Sequence, residues 1–500
     1  MGLLAATAGV TAAELLATLT RPQAGPLVAV GSTLIDAAPT PVKEFAVRTF
    51  GTYDKPLLLG GIGLALAGLA VLTGLLARRR SAAGLGGAAL LGVLGAVAAL
   101  LRPGARAVDV LPSVAGALVA AGVLRWLLPR PASAAEPVVP RPGEVRPIRG
   151  PSRRALARNA ALVAAGTALG VAGTGLLRGS SSRDAERSRE AVRLPAPADP
   201  AAPLPDGVGP AFHTRNADFY RVDTALTVPR LDTDTWRLRI RGMVDRPLEL
   251  SFADLLDREL VERDITLNCV SNEVGGPYVG TARWLGVPLA PLLRAAGIRA
   301  GADQVVARSS EGMTIGTPVE TVLDGRDAML AVGMNGEPLP LEHGFPVRML
   351  TPGLFGYAGA CKWVVDLELS TFASFDAYWV RRGWAREAPV KTASRIDRPA
   401  PFARLPAGQV VVAGVAWAQG RGIAAVEVSV DSGPWQPSTL LPVPSTDTWV
   451  QWRYQWPATP GGHSLRVRAT DRTGDVQTES RTTPFPDGAT GWHTIAVTVI

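Results

Sequence analysis

The chain has 500 residues, a formal net charge of +8 and 47% hydrophobic residues. This length exceeds what one hydrophobic core usually organises, so we expect two or three folded units. The basic residues cluster beside apolar runs and accompany no folded reading element, which excludes nucleic-acid binding as the meaning of the charge.

The first 178 residues contain five apolar runs that are each close to the ~20 residues needed to cross a bilayer. Charged side chains are rare inside these runs, and Glu14 is the one acid well inside any of them. The sequence therefore predicts an N-terminal all-α transmembrane bundle of about five helices, residues 1–178, anchored in membrane lipid. The predicted spans are residues 2–19, 57–77, 82–101, 108–128 and 159–177.

Arginine clusters orient this bundle. Residues 78–80 and the basic loop 129–158 lie on one side, which the positive-inside rule assigns to the cytoplasm. Everything after Arg178 is then extracytoplasmic, in a multi-pass cell-membrane protein. The pair Arg153 and Arg154, directly before the last span, is typical of a twin-arginine export signal placed internally. Ordinary positive-inside charge is the alternative interpretation.

The four histidines all follow the last span, at positions 213, 343, 463 and 493. A membrane bundle that carries b-type haem needs axial ligands, usually histidine. The bundle is thus predicted to be an anchor or docking platform that carries no electrons itself. Its spans also lack the paired intramembrane charges that transport usually needs, which disfavours a transporter.

The part of the chain predicted to be extracytoplasmic divides into three segments that differ in sequence pattern. Residues 179–211 are rich in Arg, Ala, Pro and Ser and predict an extended linker. Residues 212–397 mix alternating strands with short helices, which predicts an α+β domain. Residues 398–500 form alternating strands separated by Gly, Pro and Asp turns, which is typical of an all-β immunoglobulin-like sandwich.

Cys269, one of two cysteines, ends an apolar strand-like run and begins a polar, Gly-rich turn. A thiolate in that position is suited to a soft metal. The plainer interpretation is a buried cysteine that packs as a small hydrophobe, which is also our interpretation of Cys361. A disulfide between the two would consume the metal ligand.

Several motifs in order resemble those of the sulfite oxidase family of molybdopterin-dependent oxidoreductases, in a membrane-anchored bacterial form. Each motif is weak alone, whereas the ordered set with one aligned cysteine is specific. The resemblance covers roughly 205–500. The motifs are residues 216–224 (NADFYRVDT), 268–272 (NCVSN), 281–287 (TARWLGV), 334–340 (MNGEPLP), 343–348 (HGFPVR), 353–356 (GLFG), 362–363 (KW) and 416–423 (AWAQGRGI).

The resemblance implies that Cys269 is the catalytic thiolate on molybdenum and that the cofactor is molybdopterin. Arg and Lys suit a buried phosphate and an anionic pterin, because one offers a bidentate fork and the other a point charge. Gly275, Gly276, Gly353 and Gly356 are expected to let backbone amides approach the cofactor. The implied cofactor-binding residues are Asn216, Tyr220, Arg221, Cys269, Ser309, His343, Arg348 and Lys362.

The resemblance further implies oxygen-atom transfer on a small-molecule substrate, with electrons exchanged with an external carrier such as a cytochrome or a quinone-linked protein. Dimerisation through the C-terminal domain is implied as well. The stretch after the cysteine departs from the family, since eukaryotic sulfite oxidases carry an arginine shortly after the cysteine motif, whereas residues 272–276 here read NEVGG, with Glu273. A carboxylate repels an incoming dianion, which argues against sulfite. Arg215, Arg308, Lys391 and Arg395 are the remaining candidates for compensating charge.

Two alternatives stay open from the sequence. One is a reductase of the same fold that acts on sulfoxides, including oxidised methionine in exported proteins. The other is a membrane-displayed binding protein that has lost its cofactor, against which the presence of Cys269, Arg348 and Lys362 argues.

Overall fold

The computed structural model describes residues 1–39, 54–128, 153–209 and 211–500, with residues 42, 45, 49 and 50 between the first two ranges. The chain forms two compact units, Met1–Arg183 and Asp184–Ile500. The basic loop predicted to be cytoplasmic lies largely outside the described residues, because positions 129–152 belong to no described range.

The first unit is helical. Within the described residues, five helices are long and apolar enough to cross a membrane, and they coincide with the five predicted spans. The described helices of this unit include α1 (Gly2–Leu19), α2 (Pro26–Ala37), α3 (Asp54–Arg79), α4 (Ser81–Leu101), α5 (Leu111–Leu127) and α6 (Arg153–Ala191).

Small residues set the contact between α1 and α5. A Cβ on Gly9 would lie 2.5 Å from the carbonyl oxygen of Gly116, and one on Gly116 would lie 2.7 Å from that of Gly9. Only glycine therefore allows these two backbones to approach so closely, as is common where apolar helices pack in lipid.

Glu14 is paired in the structure. Its side chain is buried in the helical unit, where Arg178 of α6 donates to it and the amide of Leu27 donates to Oε1 at 3.2 Å. A second buried acid, Asp109, accepts from Arg21 at 2.7 Å. The Glu14–Arg178 pair joins the acid inside the first predicted span to an arginine one residue past the last predicted span. The partners lie 164 positions apart, so no local pattern reveals them.

Helix α6 continues to Ala191, so the first part of the predicted extended linker is helical instead. The hydroxyls of Ser180 and Ser182 donate to carbonyls of the preceding turn at 2.8 Å each. Arg187 and Asp184 form an i,i+3 ion pair of 2.7 Å. These local bonds suit a helix surface, and they offset the weak apolar pattern of this segment. The domain limits at 178, 211 and 397 stay a prediction.

The second unit begins with two sheets. One has the strand order β2-β1-β11-β5-β6, in which β1 and β11 run parallel, and the other has the order β10-β9-β7-β4-β3 with β8 beside β7. The strands are β1 (Arg237–Gly242), β2 (Leu248–Ser251), β3 (Val261–Asn268), β4 (Val279–Pro288), β5 (Gln304–Ser309), β6 (Thr314–Pro318), β7 (Met329–Met334), β8 (Glu337–Pro338), β9 (Arg348–Leu350), β10 (Ala360–Cys361) and β11 (Val364–Ser370).

Short helices lie between these strands, as the sequence predicts for an α+β region. Ser251 caps the first of them: Asp254 N donates to its Oγ at 3.1 Å, and Ser251 N donates back to Asp254 Oδ2 at 2.7 Å. This reciprocal pair is a capping box. The helices are α7 (Phe252–Leu256), α8 (Leu289–Ala296), α9 (Val319–Leu323) and α10 (Gly356–Gly359).

The C-terminal region is β-rich, as predicted. Its two sheets have the orders β12-β14-β18-β17 and β13-β20-β19-β15-β16, and their inner residues share one buried core. The strands are β12 (Ala393–Arg398), β13 (Arg404–Leu405), β14 (Gly408–Trp417), β15 (Ile423–Val430), β16 (Gln436–Pro437), β17 (Thr439–Leu440), β18 (Val450–Ala458), β19 (Gly461–Asp471) and β20 (His493–Val499).

One apolar cluster joins this region to β3. It contains Val270, Phe355, Trp417 and Trp449, all buried. The backbone of Trp449 is also held in place, because its amide donates to Thr266 Oγ1 at 2.7 Å. The end of β3 is thereby held between the two halves of the unit, and this is the point at which Cys269 lies.

Candidate active site

Cys269 follows β3 directly and opens a braced turn. Its amide donates to Tyr278 O at 3.0 Å, and Tyr278 N donates to the side-chain oxygen of Asn272 at 2.8 Å. Gly275 has a φ of +79°, and a Cβ there would lie 2.3 Å from the imidazole of His493. A side chain at that position would strain the turn and press on His493, so glycine is the residue that fits.

The thiol is buried and free. Its Sγ lies 2.9 Å from Ser271 Oγ, and burial raises the pKa of Cys269, against the lowering effects of the Ser271 hydrogen bonds and the nearby Lys362 charge. Cys361 is free and fully buried, as expected for a core cysteine, so the two cysteines form no disulfide.

Three buried basic side chains converge on the same region: Arg348 from β9, Lys362 from the turn between β10 and β11, and His343 from the short 3-10 turn before β9. Gly344, with a φ of +115°, allows this convergence. A Cβ on Gly344 would lie 3.2 Å from the Cβ atoms of both Arg348 and Lys362.

The described residues do not satisfy every hydrogen-bonding atom of these three side chains. Lys362 Nζ donates to Asp223 Oδ2 at 2.8 Å, and Arg348 Nη1 donates to His343 O at 3.5 Å. Arg348 also lies over the ring of Trp284, 5.4 Å from its centroid. Arg348 Nε and His343 Nδ1 are buried and find no partner among the residues that the structure describes. Such orphaned buried atoms are uncommon in native proteins and point to a bound group.

The electrostatics point the same way. Burial, partly offset by Asp223 and reinforced by Arg348, lowers the pKa of Lys362 to about 8. Burial lowers the pKa of Arg348, and burial with the Arg348 charge lowers the pKa of His343 to about 4. The positive charges of Arg348 and Lys362 therefore exceed the one negative charge of Asp223. An anion bound here would offset the excess.

Asn216, Tyr220 and Arg221 lie around these cations. His343 Nε2 donates to Asn216 O at 2.9 Å, which fixes the ring. Burial and the neighbouring Cys269 raise the pKa of Tyr220, while Arg348 lowers it, so its hydroxyl lies near both. Arg221 is partly exposed and pairs with Asp223 at 3.1 Å.

Ser309 is buried at the end of β5 and donates to Met313 O at 3.3 Å. It also hydrogen-bonds Glu311, whose carboxylate lies near Asp223 and Lys362. The structure thus brings every predicted site residue to one region, with Ser309 linked through Glu311.

Sequence reasoning missed three contributors to this site. Asp223 balances Lys362, Trp284 supports Arg348, and Glu311 contributes a carboxyl whose pKa is raised by burial. Asp223 and Trp284 lie inside quoted motifs, so their signal was available. Glu311 follows two serines in a turn and carries no recognisable pattern.

Three of the four glycines have a packing reason of their own, and their expected approach to the cofactor stays a prediction. A Cβ on Gly276 would lie 2.5 Å from Asn272 Oδ1, and one on Gly353 would lie 3.0 Å from Arg326. Like Gly275, they make room for neighbouring protein atoms. Gly356 is the exception, since its nearest neighbour is Asn268 O at 3.8 Å.

The four cations proposed to compensate Glu273 are each paired with a carboxylate already. These pairs are Arg215–Asp218 at 2.7 Å, Arg308–Glu368 at 3.7 Å, Lys391–Asp487 at 3.0 Å and Arg395–Asp397 at 2.6 Å.

Comparison with known proteins defines the class. The oxidoreductase molybdopterin binding domain family matches residues 225–379. Mitochondrial sulfite oxidase of Rattus norvegicus is 31% identical over 287 residues, 48% of this chain and 51% of that protein. The uncharacterized oxidoreductase YuiH of Bacillus subtilis is 30% identical over 175 residues, 35% of this chain and 80% of that protein. The chain spans about half the length of the mitochondrial sulfite oxidases that it matches.

A solved structure agrees with this classification. The sulfane dehydrogenase SoxCD from Paracoccus pantotrophus superposes with a TM-score of 0.50 at 26% identity, over 56% of this chain and 80% of that one. The fold and the site thus define a domain of the molybdopterin-binding oxidoreductase class. The chain belongs to the sulfite oxidase family.

The residues present fit the molybdenum cofactor that this domain binds. The pterin and its phosphate are anionic. They would accept a hydrogen bond from the orphaned Arg348 Nε and would offset the buried positive charges of Arg348 and Lys362. The unprotonated Nδ1 of His343 is suited to accept from a pterin N–H, because Nε2 carries the proton donated to Asn216 O. Cys269 supplies the thiolate that a soft metal prefers.

Proposed function

We propose that this protein is a membrane-anchored molybdopterin oxidoreductase that catalyses oxygen-atom transfer on a small substrate outside the cytoplasmic membrane. Electrons are exchanged with an external carrier, such as a cytochrome or a quinone-linked protein. The observation that carries the proposal is the convergence of the Cys269 thiol with the buried cations Arg348 and Lys362.

The molybdenum cofactor supplies the two-electron oxygen-transfer chemistry when bound. The chain's own residues bind and orient it. Lys362 and Arg348 hold the anionic groups, Asn216 fixes the His343 ring, and Trp284 holds the Arg348 guanidinium. Cys269 would hold the metal as a thiolate, and the Lys362 charge favours that form.

Five long apolar helices support membrane anchoring, with the oxidoreductase region exported after Arg178. The proposed export signal is Arg153–Arg154, at the start of α6. It would carry a folded, cofactor-loaded domain across the membrane. All four histidines lie after residue 191, so the helices hold no histidine for haem, and the electron carrier is a separate protein.

The region 398–500 is proposed to be an immunoglobulin-like domain through which the protein dimerises. Two sheets around one core support the first part. Light scattering of the detergent-solubilised protein, corrected for bound detergent, tests the second. A mass of one chain at micromolar concentration would remove the dimer from the proposal.

Elemental analysis tests the function. Protein purified from membranes of a cofactor-competent host is expected to hold about one molybdenum per chain. Cys269→Ser is expected to lose turnover with artificial electron donors or acceptors, whereas Cys361→Ala, which changes the other buried thiol, behaves as wild type. Wild-type protein without molybdenum would overturn the proposal.

A further inference from the structure

The end of helix α6 packs against the second unit, of which it forms part from Asp184 onward. Ala185 is 2% exposed, and Ser188 Oγ accepts from Thr233 N at 3.1 Å. Val192, directly after the helix, packs against two apolar clusters of this unit. The last two turns of α6 are therefore fixed on the region that carries the cofactor site.

Arg189 lies in these turns and holds strand β8. Its Nε donates to Leu339 O at 2.9 Å, and its Nη2 donates to Pro338 O at 2.8 Å. Nη2 also lies 2.9 Å from Glu337 Oε2. A guanidinium presents its N–H groups in a rigid planar fork, so one arginine can bind a carboxylate and two carbonyls together. The position of β8 thus depends on the end of α6.

Strand β8 pairs with β7 through the two-residue turn Asn335-Gly336. Both residues have a positive φ, +52° and +82°, which is the conformation of the type I′ hairpin that Asn-Gly favours. From this turn, Asn335 Nδ2 donates to Thr214 O at 2.9 Å and to Asn216 Oδ1 at 2.8 Å. The hairpin therefore holds the segment that contains Asn216.

Glu337 makes the second contact between the hairpin and Asn216. Its Oε1 accepts from Asn216 Nδ2 at 2.5 Å, while its Oε2 faces Arg189. Burial opposes ionisation of Glu337, but hydrogen bonds from Asn216 and Arg189 hold its pKa below the ordinary value. The carboxylate is thus charged at pH 7 and bridges the two side chains.

Asn216 in turn fixes the imidazole of His343, whose Nε2 lies 2.9 Å from Asn216 O. Because a carbonyl oxygen only accepts, Nε2 carries the proton and Nδ1 is left as an acceptor. Asn216 belongs to the short 3-10 turn Asn216–Asp218, in which no residue is buried. Polar contacts, above all those from Asn335 and Glu337, therefore place the carbonyl that sets the ring.

We propose that Arg189 is a positioning residue of the cofactor site. It acts through Glu337 and Asn216 on His343, and it thereby keeps His343 Nδ1 in place as an acceptor for the cofactor. The inference rests on the proposed function and deepens it, because it makes the end of α6 part of the machinery that retains the cofactor.

The rate of cofactor loss tests this proposal. Full-length protein loaded with cofactor in a competent host is dialysed in detergent at pH 7, and the remaining molybdenum is measured against time. Arg189→Met keeps the length of the side chain and removes its donors, so loss should be about tenfold faster, the effect of one hydrogen bond. Arg187→Met is the matched control and should leave the rate unchanged, because Arg187 pairs with Asp184 of its own helix.

Two further variants test the route of the effect. Glu337→Leu should accelerate the loss to a similar extent, and the double variant with Arg189→Met should lose cofactor no faster than Glu337→Leu, since both changes break the same chain of contacts. Accelerations that multiply would overturn the proposed route. Arg189→Lys keeps the charge opposite Glu337 but lacks the fork. It should give an intermediate rate, and it replaces Arg189→Met if that variant does not fold.

A spectroscopic signal separates positioning of His343 from a general loss of stability. The chain has four histidines, so magic-angle-spinning NMR of the membrane-reconstituted, cofactor-free protein with ¹⁵N-labelled histidine resolves few ring signals, and His343→Gln assigns the relevant one. Wild type and Arg187→Met should show His343 in the Nε2–H form. Arg189→Met should add the Nδ1–H form, while no change is expected in the signals of His213, His463 and His493.

The outcomes separate this inference from the proposed function. Arg189→Met with wild-type cofactor retention, or with an unchanged His343 signal, would overturn the inference and leave the proposed function standing. Wild-type protein without molybdenum would overturn both.

Discussion

Lys362 and Asp223 form a buried ion pair in which Nζ lies 2.8 Å from Oδ2, with side chains only 9% and 3% exposed. Arg221 contacts the same carboxylate oxygen at 3.1 Å. One aspartate therefore holds the lysine proposed to bind the cofactor, and it links that lysine to a partly exposed arginine.

Asp223→Asn should destabilise the cofactor-free protein by about 3–5 kcal/mol, because it leaves a buried ammonium without its counter-charge. The double variant Asp223→Asn, Lys362→Met should lose less than the sum of the two single variants, since neither charge is then buried alone. Denaturation in urea, followed by tryptophan fluorescence, measures these differences. Additive losses would show that the pair is not coupled.

Cofactor retention should weaken in alkali. The pKa of Lys362 is about 8 in the cofactor-free site, so above that pH the ammonium loses its proton and its hold on an anion. Dialysis at pH values from 7 to 10, followed by molybdenum analysis, should show progressive loss. Lys362→Arg, whose guanidinium stays charged, should flatten this pH dependence, and an unchanged profile would contradict the assigned role.

Acid should destabilise the protein through His343. Its pKa is about 4 when folded and 6.5 when unfolded, so between these values the unfolded chain binds more protons. Stability is therefore lost as pH falls from 6.5 to 4, by up to about 3 kcal/mol. His343→Gln should reduce this loss in thermal unfolding of the cofactor-free protein, whereas His463→Gln, at a site where Asp431 raises the histidine pKa, should not.

Asp264 should be a structural carboxylate. It is 5% exposed, and although burial opposes ionisation, hydrogen bonds from Arg283 and His213 hold its pKa below the ordinary value. Asp264→Asn should cost about 3–5 kcal/mol. Asp245→Asn breaks the exposed pair with Arg299, whose side chains are 67% and 58% exposed, and should change stability by about 0.5 kcal/mol or less. Equal losses would contradict the burial argument.

The helices and strands were largely predictable, because hydrophobic period and local capping determine them. The five apolar runs and the Ser251 cap depend on residues close in sequence. The side chains proposed to bind the cofactor lie, except for Ser309, in the short motifs at 216–224, 268–272, 343–348 and 362–363.

What could not be predicted depends on distant pairing. Glu14 meets Arg178 across the helical unit, and Lys391 meets Asp487 from another loop. Neither partner is marked by a local pattern. The length of α6 was not predicted, for a different reason. Helix prediction depends on an apolar stripe, whereas the end of α6 has serine hydrogen bonds and an ion pair instead.

The central claim is that Cys269 is the protein ligand of molybdenum. X-ray absorption at the molybdenum edge, on wild type, Cys269→Ser and Cys361→Ala loaded with cofactor, tests it most directly. Cys269→Ser should show one sulfur fewer around the metal than the other two proteins. The same number of sulfur neighbours in all three would contradict the assignment.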